Sequence, residues 1–407
     1  MADRTLPGQT DYEVVAYRPA LRSQIFALQT QFWGPDLDPD VYAAYLDWKY
    51  VRNPYVNTAL IYLAVHAGEV VGMRGLYGSK WLIGRPTQQL VSLCGGDLII
   101  APEHRNRGIF RMLTRAALAA AAERGYSYIF NLNPGVITSL GLAAMGWRAL
   151  GSVQPMRWES RGRRIARRVR EVAAWRHGLS RRVWQYARRL RVARDAWQSV
   201  RRLSAAGRTM RRRPFERLDA RGANRAGSGG SPVSVSRTPD PEAMAELVGR
   251  IATDGRIRHV RDPQYFGWRF RNPFSCYRFL FWKDAGRLDG YLVLQASIFP
   301  GRRGTNIVDW EASRGEVRGD LLRAAIECGG FGDLTVWSAT LSDDARAILQ
   351  DAGFRRIAEA AGATAARQRI LIRPVRDYML EKDWVLGGRH LLDIADWDLR
   401  MIDSDAC

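Results

Sequence analysis

The sequence predicts a mixed α/β protein made of two similar halves that are joined by a basic helical insert. Residues 45–55, YLDWKYVRNPY, are echoed by residues 265–274, YFGWRFRNPF, and the segments after the two copies follow the same order. Between them lies a segment very rich in arginine. We therefore place one domain at residues 1–156, the insert with its linker at 157–231, and a second domain at 232–407.

The segments after the two copies predict the same elements. Two apolar runs around a glycine-containing turn (ALIYLAV-HAGE-VVGMRGLYG; YRFLFW-KDAGR-LDGYLVLQA) indicate an antiparallel hairpin in each half. A helix, a glycine stop and a buried strand follow (MLTRAALAAAAERGYSYIFNLN; DLLRAAIECGGFGDLTVWSA). Each half then has a short helix, a Gly-aromatic pair and another strand (LGLAAMGWRALG; ARAILQDAGFRRIA). This shared order indicates an internal duplication, in which we assign the repeated aromatic motif to core packing before an Asn-Pro turn.

The net charge of +21 is concentrated in the insert. Residues 157–225 hold 23 arginines against five acidic residues, so the rest of the chain is nearly neutral. Apolar residues recur there in steps of four and three, which predicts an amphipathic helix covered elsewhere by arginine; they are Leu179, Val183, Tyr186, Leu190, Ala193, Trp197 and Val200. Three interpretations stay open: packing on the protein, binding to an anionic membrane surface, and, less favoured because no known module is recognisable, binding to nucleic acid. The end of the insert, RGANRAGSGGSP, predicts a flexible linker.

The bulk composition narrows the class of protein. Aromatic residues make up 10% of the chain and hydrophobic residues 46%, as in globular proteins. No apolar run approaches the roughly 20 residues that span a bilayer, and the first residues lack the pattern of a signal peptide. We expect a cytoplasmic protein, which the insert could hold at the inner face of the membrane. Four isolated cysteines and five scattered histidines predict no metal site.

One stretch, PEHRNRGIFRML at residues 102–113, has the composition of an anion site. It joins a predicted strand, QLVSLCGGDLIIA, to a helix expected from Ile109 to Arg124. Such a loop presents backbone N–H groups at the positive end of the helix dipole. Gly108 lets an anion approach the backbone, and Arg105 and Arg107 add charged donors. The strand's Gly95-Gly96 pair predicts a bulge or a close backbone approach. We expect a pyrophosphate site here; the alternative is a solvated basic turn.

The loop resembles the acyl-coenzyme A pyrophosphate loop of the GNAT superfamily of N-acetyltransferases, V-x-P-x-x-R-x-x-G-x-G/A. The resemblance covers about residues 40–155, and Phe110 departs from the usual small residue. It implies acetyl-CoA as the donor, with pantetheine paired to the backbone of Ile99 and Ile100 where a bulged strand splays away. It also implies that the pyrophosphate lies on the loop and the start of the helix, at Arg105, Asn106, Arg107, Gly108, Ile109, Phe110 and Arg111.

The second half lacks this loop pattern. Its corresponding stretch, NIVDWEASRGEVRGDLLRAAI, has neither the proline nor an Arg-x-x-Gly at the matching offset. The nearest imitation is Arg318-Gly319, and the flanking Glu316 and Asp320 would repel a pyrophosphate. We expect a degenerate copy that binds no coenzyme and walls the acceptor site.

Transfer to an amine requires a base, and an acid helps the thiolate to leave. We expect Asp97, after the Gly-Gly pair, to be the base, with Glu103 second; the alternative is a structural carboxylate. In GNAT enzymes a tyrosine four residues before the final Gly-aromatic pair often serves as the acid, but Leu142 holds that position here. The resemblance places Asn131 and Asn133 in the same cleft, in contact with acceptor or pantetheine.

Together these features predict an N-acetyltransferase that acts on a small-molecule amine. By resemblance, the acceptor is an amino sugar or a lipid-linked intermediate of surface polysaccharide assembly. Two alternatives stay open: a non-catalytic scaffold that binds anionic lipid or nucleic acid, and an aminoacyl transferase of the FemAB type. The Arg-x-x-Gly loop favours the acetyltransferase.

Overall fold

Two mixed β-sheets with helices packed on them organise the protein, so the predicted mixed α/β class with two similar halves is confirmed. The structure is a computed structural model. It describes residues 11–33, 37–56, 58–132, 134–166, 215–227, 232–251, 254–299, 304–357, 369–376 and 380–404. The helix predicted from Leu179 to Val200 lies outside these residues, and so does Asn133.

The first half contains the predicted hairpin, helix–strand and helix–strand units in order. Its strands are β1 Glu13–Ala16, β2 Leu60–His66, β3 Glu69–Ile83, β4 Gln88–Ile100, β5 Tyr128–Asn131, β6 Arg148–Ser152 and β7 Pro155–Glu159. Its α-helices are α1 Arg22–Trp33, α2 Pro39–Leu46, α3 Ile109–Glu123 and α4 Val136–Ala143. The repeated motif falls on a π-helical turn, Asp47–Val51, that directly continues α2.

The second half repeats this order. Its strands are β8 Val233–Ser236, β9 Ile257–His259, β10 Ser275–Asp284, β11 Arg287–Ser297, β12 Thr305–Ala312, β13 Asp333–Trp337 and β14 Arg355–Arg356. Its helices are α5 Glu216–Gly227, α6 Pro241–Arg250, α7 Pro263–Arg269, α8 Gly315–Gly329 and α9 Asp343–Asp351. The C-terminal part adds β15 Arg369–Pro374, β16 Val385–Leu386, β17 Arg389–His390 and β18 Trp397–Asp398.

Three helices begin at the same local signal, an Asp-Pro pair. The aspartate side chain accepts a hydrogen bond from a first-turn amide, and the proline occupies the position where no N–H is needed. These pairs precede α2, α6 and α7, at Asp38-Pro39, Asp240-Pro241 and Asp262-Pro263.

Each half contributes strands to the sheet of the other half. Strand β7 from the first half lies between β13 and β14 in the second sheet. Strand β15 lies between β5 and β6 in the first sheet, and β9 also pairs with β3 of that sheet. The boundary expected after residue 156 therefore falls inside a strand of the second sheet, and residues 369–374 belong to the first sheet.

The flexible linker predicted for residues 221–232 is partly wrong, because residues 221–227 continue helix α5. Phe215 and Leu218, at the start of helix α5, are buried in the core of the second half. Arg221 donates to the carbonyl of Glu327 at 2.7 Å. Packing against α8 thus outweighs the weak helix propensity of the glycine-containing sequence.

The repeated aromatic motif joins the halves. The rings of Trp48 and Trp268 stack with centroids 5.0 Å apart. Each indole N–H donates to the other residue's carbonyl oxygen, at 2.8 and 2.7 Å. This reciprocal contact is what an internal two-fold relation between the halves produces. As expected, Asn53 and Asn272 organise the Asn-Pro turns that follow, by accepting hydrogen bonds from backbone amides.

The helices that follow β4 and β12 pack on their sheets in matching ways. Gly72 of β3 lies under Ile109 and Leu113 of α3, and Gly290 of β11 lies under Val317 and Leu321 of α8. Among the described helices, none is both long and apolar enough to cross a membrane.

Candidate functional site

The site is built where strands β4 and β5 diverge. They pair in parallel at Leu93↔Ile129 and Cys94↔Phe130. Beyond these two pairs the strands do not pair further, although β5 stays in the sheet because its other edge pairs with β15 from Tyr128 to Asn131. On its other side β4 carries a bulge, at which Asp97 and Leu98 lie opposite Arg74. The Gly95-Gly96 pair directly precedes this bulge, as the sequence predicts.

The predicted loop leaves β4 at the open end of this gap. Pro102–His104 form one 3-10 turn, and Asn106 and Gly108 have left-handed backbones, with φ of 62° and 80°. Arg105 Nε donates to the carbonyl of Ile100 at 3.3 Å, and its side chain lies in an exposed segment with Arg107 and Arg111. The loop is thus folded by local contacts and keeps its arginines at the surface.

The loop offers hydrogen-bond donors to solvent. Within the described residues, none of the backbone amides of residues 106–110 donates to a protein acceptor. Helix α3 begins after Gly108 with no side-chain cap and no acidic residue in its first turn. Nothing lies within 4 Å of the place where a Cβ of Gly108 would be. An uncapped helix terminus with free donors and adjacent arginines is well suited to an anionic group.

The packing of Phe110 explains its departure from the small residue usual at this position. Its ring covers Gly141 of α4, where a Cβ would lie 2.7 Å from Phe110 Cζ. The aromatic side chain therefore points between α3 and α4. The backbone of the loop stays open to a ligand.

Asp97 lies in a buried cluster of charged and phenolic groups. Its carboxylate accepts from Lys49 Nζ at 2.9 Å, from the Tyr50 hydroxyl at 2.6 Å and from the Tyr45 hydroxyl at 3.2 Å. The side chain of Lys49 is fully buried and that of Asp97 is 7% exposed. Burial and the Asp97 carboxylate raise the pKa of Tyr50 well above its ordinary value, so this hydroxyl is a hydrogen-bond donor. Asp97 itself has a left-handed backbone, with φ of 41°.

Two buried cations lie on opposite faces of the sheet at the Gly-Gly pair. A Cβ at Gly95 would lie 2.3 Å from an Arg74 Nη atom, and a Cβ at Gly96 would lie 2.5 Å from Lys49 Nζ. Successive residues of a strand face opposite sides, so the guanidinium and the ammonium flank β4 where it leaves β5. A side chain at either glycine would displace one of these cations.

The other predicted residues lie at different depths. Ile99 is buried and Ile100 partly exposed on the strand that borders the gap. Asn131 is 6% exposed at the end of β5, whereas Glu103 is exposed on the 3-10 turn. Leu142 is fully buried in a core cluster with Leu76 and Leu93. No hydroxyl or acid is available at the Leu142 position.

In the second half the corresponding loop is shorter. Eight residues separate the end of β4 from Ile109, the α3 residue packed on Gly72. Four residues separate the end of β12 from Val317, the α8 residue packed on Gly290. Arg318 points inward and donates to the carbonyl of Trp310, and Gly319 lies inside α8.

The gap of the second half is filled by the chain itself. Strands β12 and β13 also pair at only two positions before they separate. The C-terminal segment, residues 397–404, lies between them. The Leu399 amide donates a hydrogen bond to the Thr340 hydroxyl at 3.0 Å, and that hydroxyl donates to the Leu399 carbonyl at 2.7 Å. Arg400 forms an ion pair with Glu311 of β12 at 3.1 Å. This segment occupies the position that the open gap has in the first half.

Buried ion pairs hold the C-terminal segment in place. Glu311 also contacts Arg261 at 2.7 Å and Arg318 at 3.5 Å. Burial alone would raise the pKa of Glu311, but Arg400 and the two other arginines outweigh burial and hold that pKa far below its ordinary value. These arginines thus favour the ionised form of Glu311.

The sequence offered no direct signal for Lys49 and Arg74 as site residues. Lys49 lies in the repeated motif, and Arg74 lies in a hairpin strand that reads as apolar. The rarity of lysine, with four in the chain, is the one hint that Lys49 is unusual. In the part of the chain that the structure describes, no group of side chains is arranged to hold a metal ion.

Comparisons with known proteins agree with this geometry. Residues 22–147 match the model of the acetyltransferase (GNAT) family. A GCN5-related N-acetyltransferase from Anabaena variabilis superposes with a TM-score of 0.52 at 13% identity, over 90% of this chain and 73% of that one. A conserved protein of unknown function from Enterococcus faecalis, described as a probable N-acyltransferase, gives 0.53 at 9% identity, over 90% and 73%. A search with the sequence matches no curated protein.

Proposed function

Residues 22–147 form a GNAT acetyltransferase domain, and from this premise we propose that the protein transfers the acetyl group of acetyl-CoA to the amine of a small acceptor. The observation that carries the proposal is the loop before α3. Its free amides, left-handed Gly108 and exposed arginines form one uncapped helix terminus beside a gap in the sheet.

This arrangement supports acetyl-CoA as the donor. The pyrophosphate lies on residues 105–111, where Arg105 and Arg107 supply charge and the amides supply directed donors. The pantetheine extends along the edge of β4 at Ile99 and Ile100, which β5 leaves unpaired. Asn133 is part of the same proposal on the basis of sequence alone.

The reaction needs no metal. The neutral amine attacks the thioester carbonyl, the C–N bond forms, and the C–S bond breaks with its electron pair on sulfur. Asp97 is the proposed acceptor of the amine proton, because it lies at the bulge of β4, beside the gap between β4 and β5. Glu103, exposed on the loop, is the second choice. Lys49 and the tyrosine hydroxyls fix the orientation of Asp97 and also compete with the amine for its lone pairs.

One coenzyme per chain is expected. The second half has the shorter loop, and the C-terminal segment fills its gap. Calorimetric titration with acetyl-CoA should give a stoichiometry close to one, and incubation with a panel of amines should then release free thiol. A stoichiometry of two contradicts the single-site proposal. Binding without thiol release for any amine favours the non-catalytic scaffold.

We also propose that the acceptor is an amino sugar or a lipid-linked intermediate. The basic insert supports this choice, since it would hold the enzyme near anionic headgroups. Flotation with anionic and neutral vesicles tests it. Binding should weaken at high salt and after joint replacement of Leu190 and Trp197 by alanine, because lipid binding needs both charge and the apolar stripe. Vesicle binding that is lost with salt but survives the double substitution is binding by charge alone, as expected of a segment that binds nucleic acid through its phosphates. No flotation with anionic vesicles at low salt removes the membrane proposal.

A further inference from the structure

Arg74 lies at the point where β4 and β5 separate. The last pair between these strands is Cys94↔Phe130, and the next residue of β4 is Gly95. The guanidinium of Arg74 lies against Gly95, so close that a Cβ there would be 2.3 Å from an Arg74 Nη atom. A coenzyme that enters at residues 105–111 and follows the edge of β4 inward brings its thioester to this place.

The side chain lies on the face of the sheet that α3 and α4 cover. Two positions earlier, Gly72 lies under Ile109 and Leu113 of α3. Two positions later, Leu76 packs in the cluster that contains Leu142 of α4. Because residues two apart in a strand share a face, Arg74 lies between the start of α3 and Leu142. Lys49 and Asp97 lie on the opposite face, as the contact of Lys49 with Gly96 shows.

Its surroundings make its charge effective. Arg74 is 1% exposed, and Leu76, the next residue on this face of β3, belongs to a buried apolar cluster with Leu93 and Leu142. In such a dry environment a cation stabilises a developing anion far more than it would in water. The departing sulfur carries a full negative charge, and Leu142 offers no proton to neutralise it. A nearby cation therefore assists the departure of the thiolate.

We propose that Arg74 stabilises the thiolate of coenzyme A as the C–S bond breaks. This inference rests on the proposed function and assigns its leaving-group step. The electron pair of the C–S bond remains on sulfur, and the guanidinium keeps all its protons throughout. The amine proton passes on the opposite face, to Asp97, and the thiolate is protonated by water when coenzyme A is released. The residue that accepts the amine proton and the residue that stabilises the thiolate thus lie on different faces of β4.

Free coenzyme A is a direct probe, because its bound thiol reports the charge beside it. The thiolate absorbs in the ultraviolet, so its titration can be followed in the complex without any acceptor. An opposite charge within hydrogen-bonding range lowers a pKa by roughly one to three units. We expect the thiol bound to the wild-type protein to titrate at least about one pH unit below free coenzyme A, a tenfold rise in the thiolate-to-thiol ratio below both pKa values.

Two variants and a control complete the test. Arg74→Met should abolish the shift, and Arg74→Lys, which keeps a cation, should retain part of it. Arg115→Met removes an exposed arginine from α3 and should leave the shift unchanged. An unshifted thiol in the wild-type complex overturns the inference even if Arg74→Met does not fold. So does the same shift in wild type and Arg74→Met. Failure of coenzyme A to bind the wild type would instead contradict the proposed function.

Discussion

Gly108 combines a backbone requirement with an open space. Its φ of 80° disfavours most side chains, but asparagine tolerates this region. Gly108→Asn should therefore fold and still obstruct the pyrophosphate, lowering acetyl-CoA affinity at least tenfold by calorimetry. Gly125, at the other end of α3, has φ of 78° and equally open surroundings, so Gly125→Asn is the matched control. Equal losses in the two variants would show that the loop is not the binding site.

Arg105 tests the charge of the same loop. Its side chain is exposed and donates only to the carbonyl of Ile100, so Arg105→Ala should not lower the melting temperature. Loss of a charged hydrogen bond to a phosphate costs about 1.5–3 kcal/mol, which is roughly ten- to a hundredfold in affinity. The titration that gives the stoichiometry also gives this ratio. Unchanged affinity would refute the assignment.

Asp97 has a structural and a proposed chemical task, which can be separated. Asp97→Asn leaves the buried Lys49 ammonium without its carboxylate, and breaking a buried pair in this way costs about 3–5 kcal/mol. Replacing both, as Lys49→Met with Asp97→Asn, should recover much of that stability in urea unfolding. If Asp97 is the base, the double variant still acetylates slowly, and its deficit shrinks as pH rises and more of the amine is neutral. A deficit that does not depend on pH would leave Asp97 a structural role alone.

The loop residues could be read from the sequence because their pattern is local: strand, proline, arginine, glycine, helix. Lys49 and Arg74 could not, because each joins the site only through the packing of its side chain against a glycine of β4. Only the close approach of Lys49 to Gly96 and of Arg74 to Gly95 shows why that glycine pair is needed.

The same distinction holds for the strands and helices. The hairpins and the helix–strand units follow from periodicity and glycine stops, and they form where expected. Strands β7 and β15 are short, and nothing local in their sequences indicates that each joins the other half's sheet. Their partners are set by which sheet edge is left open after folding. The boundary predicted at residue 156 rests on composition, which carries no information about strand pairing.

The C-terminal segment should make stability depend on pH. Burial raises the pKa of Asp403 to about 7, with Arg261 opposing and Asp309 adding to the rise. In the unfolded chain this carboxyl titrates near 3.9. Between about pH 4 and 7 the folded state therefore holds a proton that the unfolded state lacks, and stability falls as pH rises through this window, by up to about 4 kcal/mol.

Asp403→Asn isolates this effect, because the amide stays neutral at every pH. The free energy of unfolding of the wild type minus that of the variant should decrease from pH 4 to 7 and then level off. Burial lowers the pKa of His259 to about 3, so this histidine makes the free energy of unfolding rise with pH below about pH 6.5. This contribution is the same in the wild type and the variant, so it cancels in the difference. A difference that is flat across the window would show that Asp403 is not buried as a neutral acid.

The two halves of the molecule share one arrangement of elements but differ at the gap between their strands. The stacked Trp48 and Trp268 mark the symmetry, and an aspartate lies three residues before the end of both β4 and β12. Asp97 borders an open gap, whereas Asp309 is sealed with Arg261 beside the C-terminal segment. The two halves thus share one frame, and in the second half the loop is shorter and the C-terminal segment fills the gap.

Because strands are exchanged, the two halves should unfold as one unit. Unfolding the second half would remove β15 from between β5 and β6, and unfolding the first would remove β7 from the second sheet. A ligand that binds only the folded state raises the melting temperature of every segment that unfolds with its site. We therefore expect a single calorimetric transition that moves upward as a whole with acetyl-CoA, and a much smaller shift in Arg105→Ala. Two transitions, of which acetyl-CoA moves only one, would show that the halves are independent despite the exchanged strands.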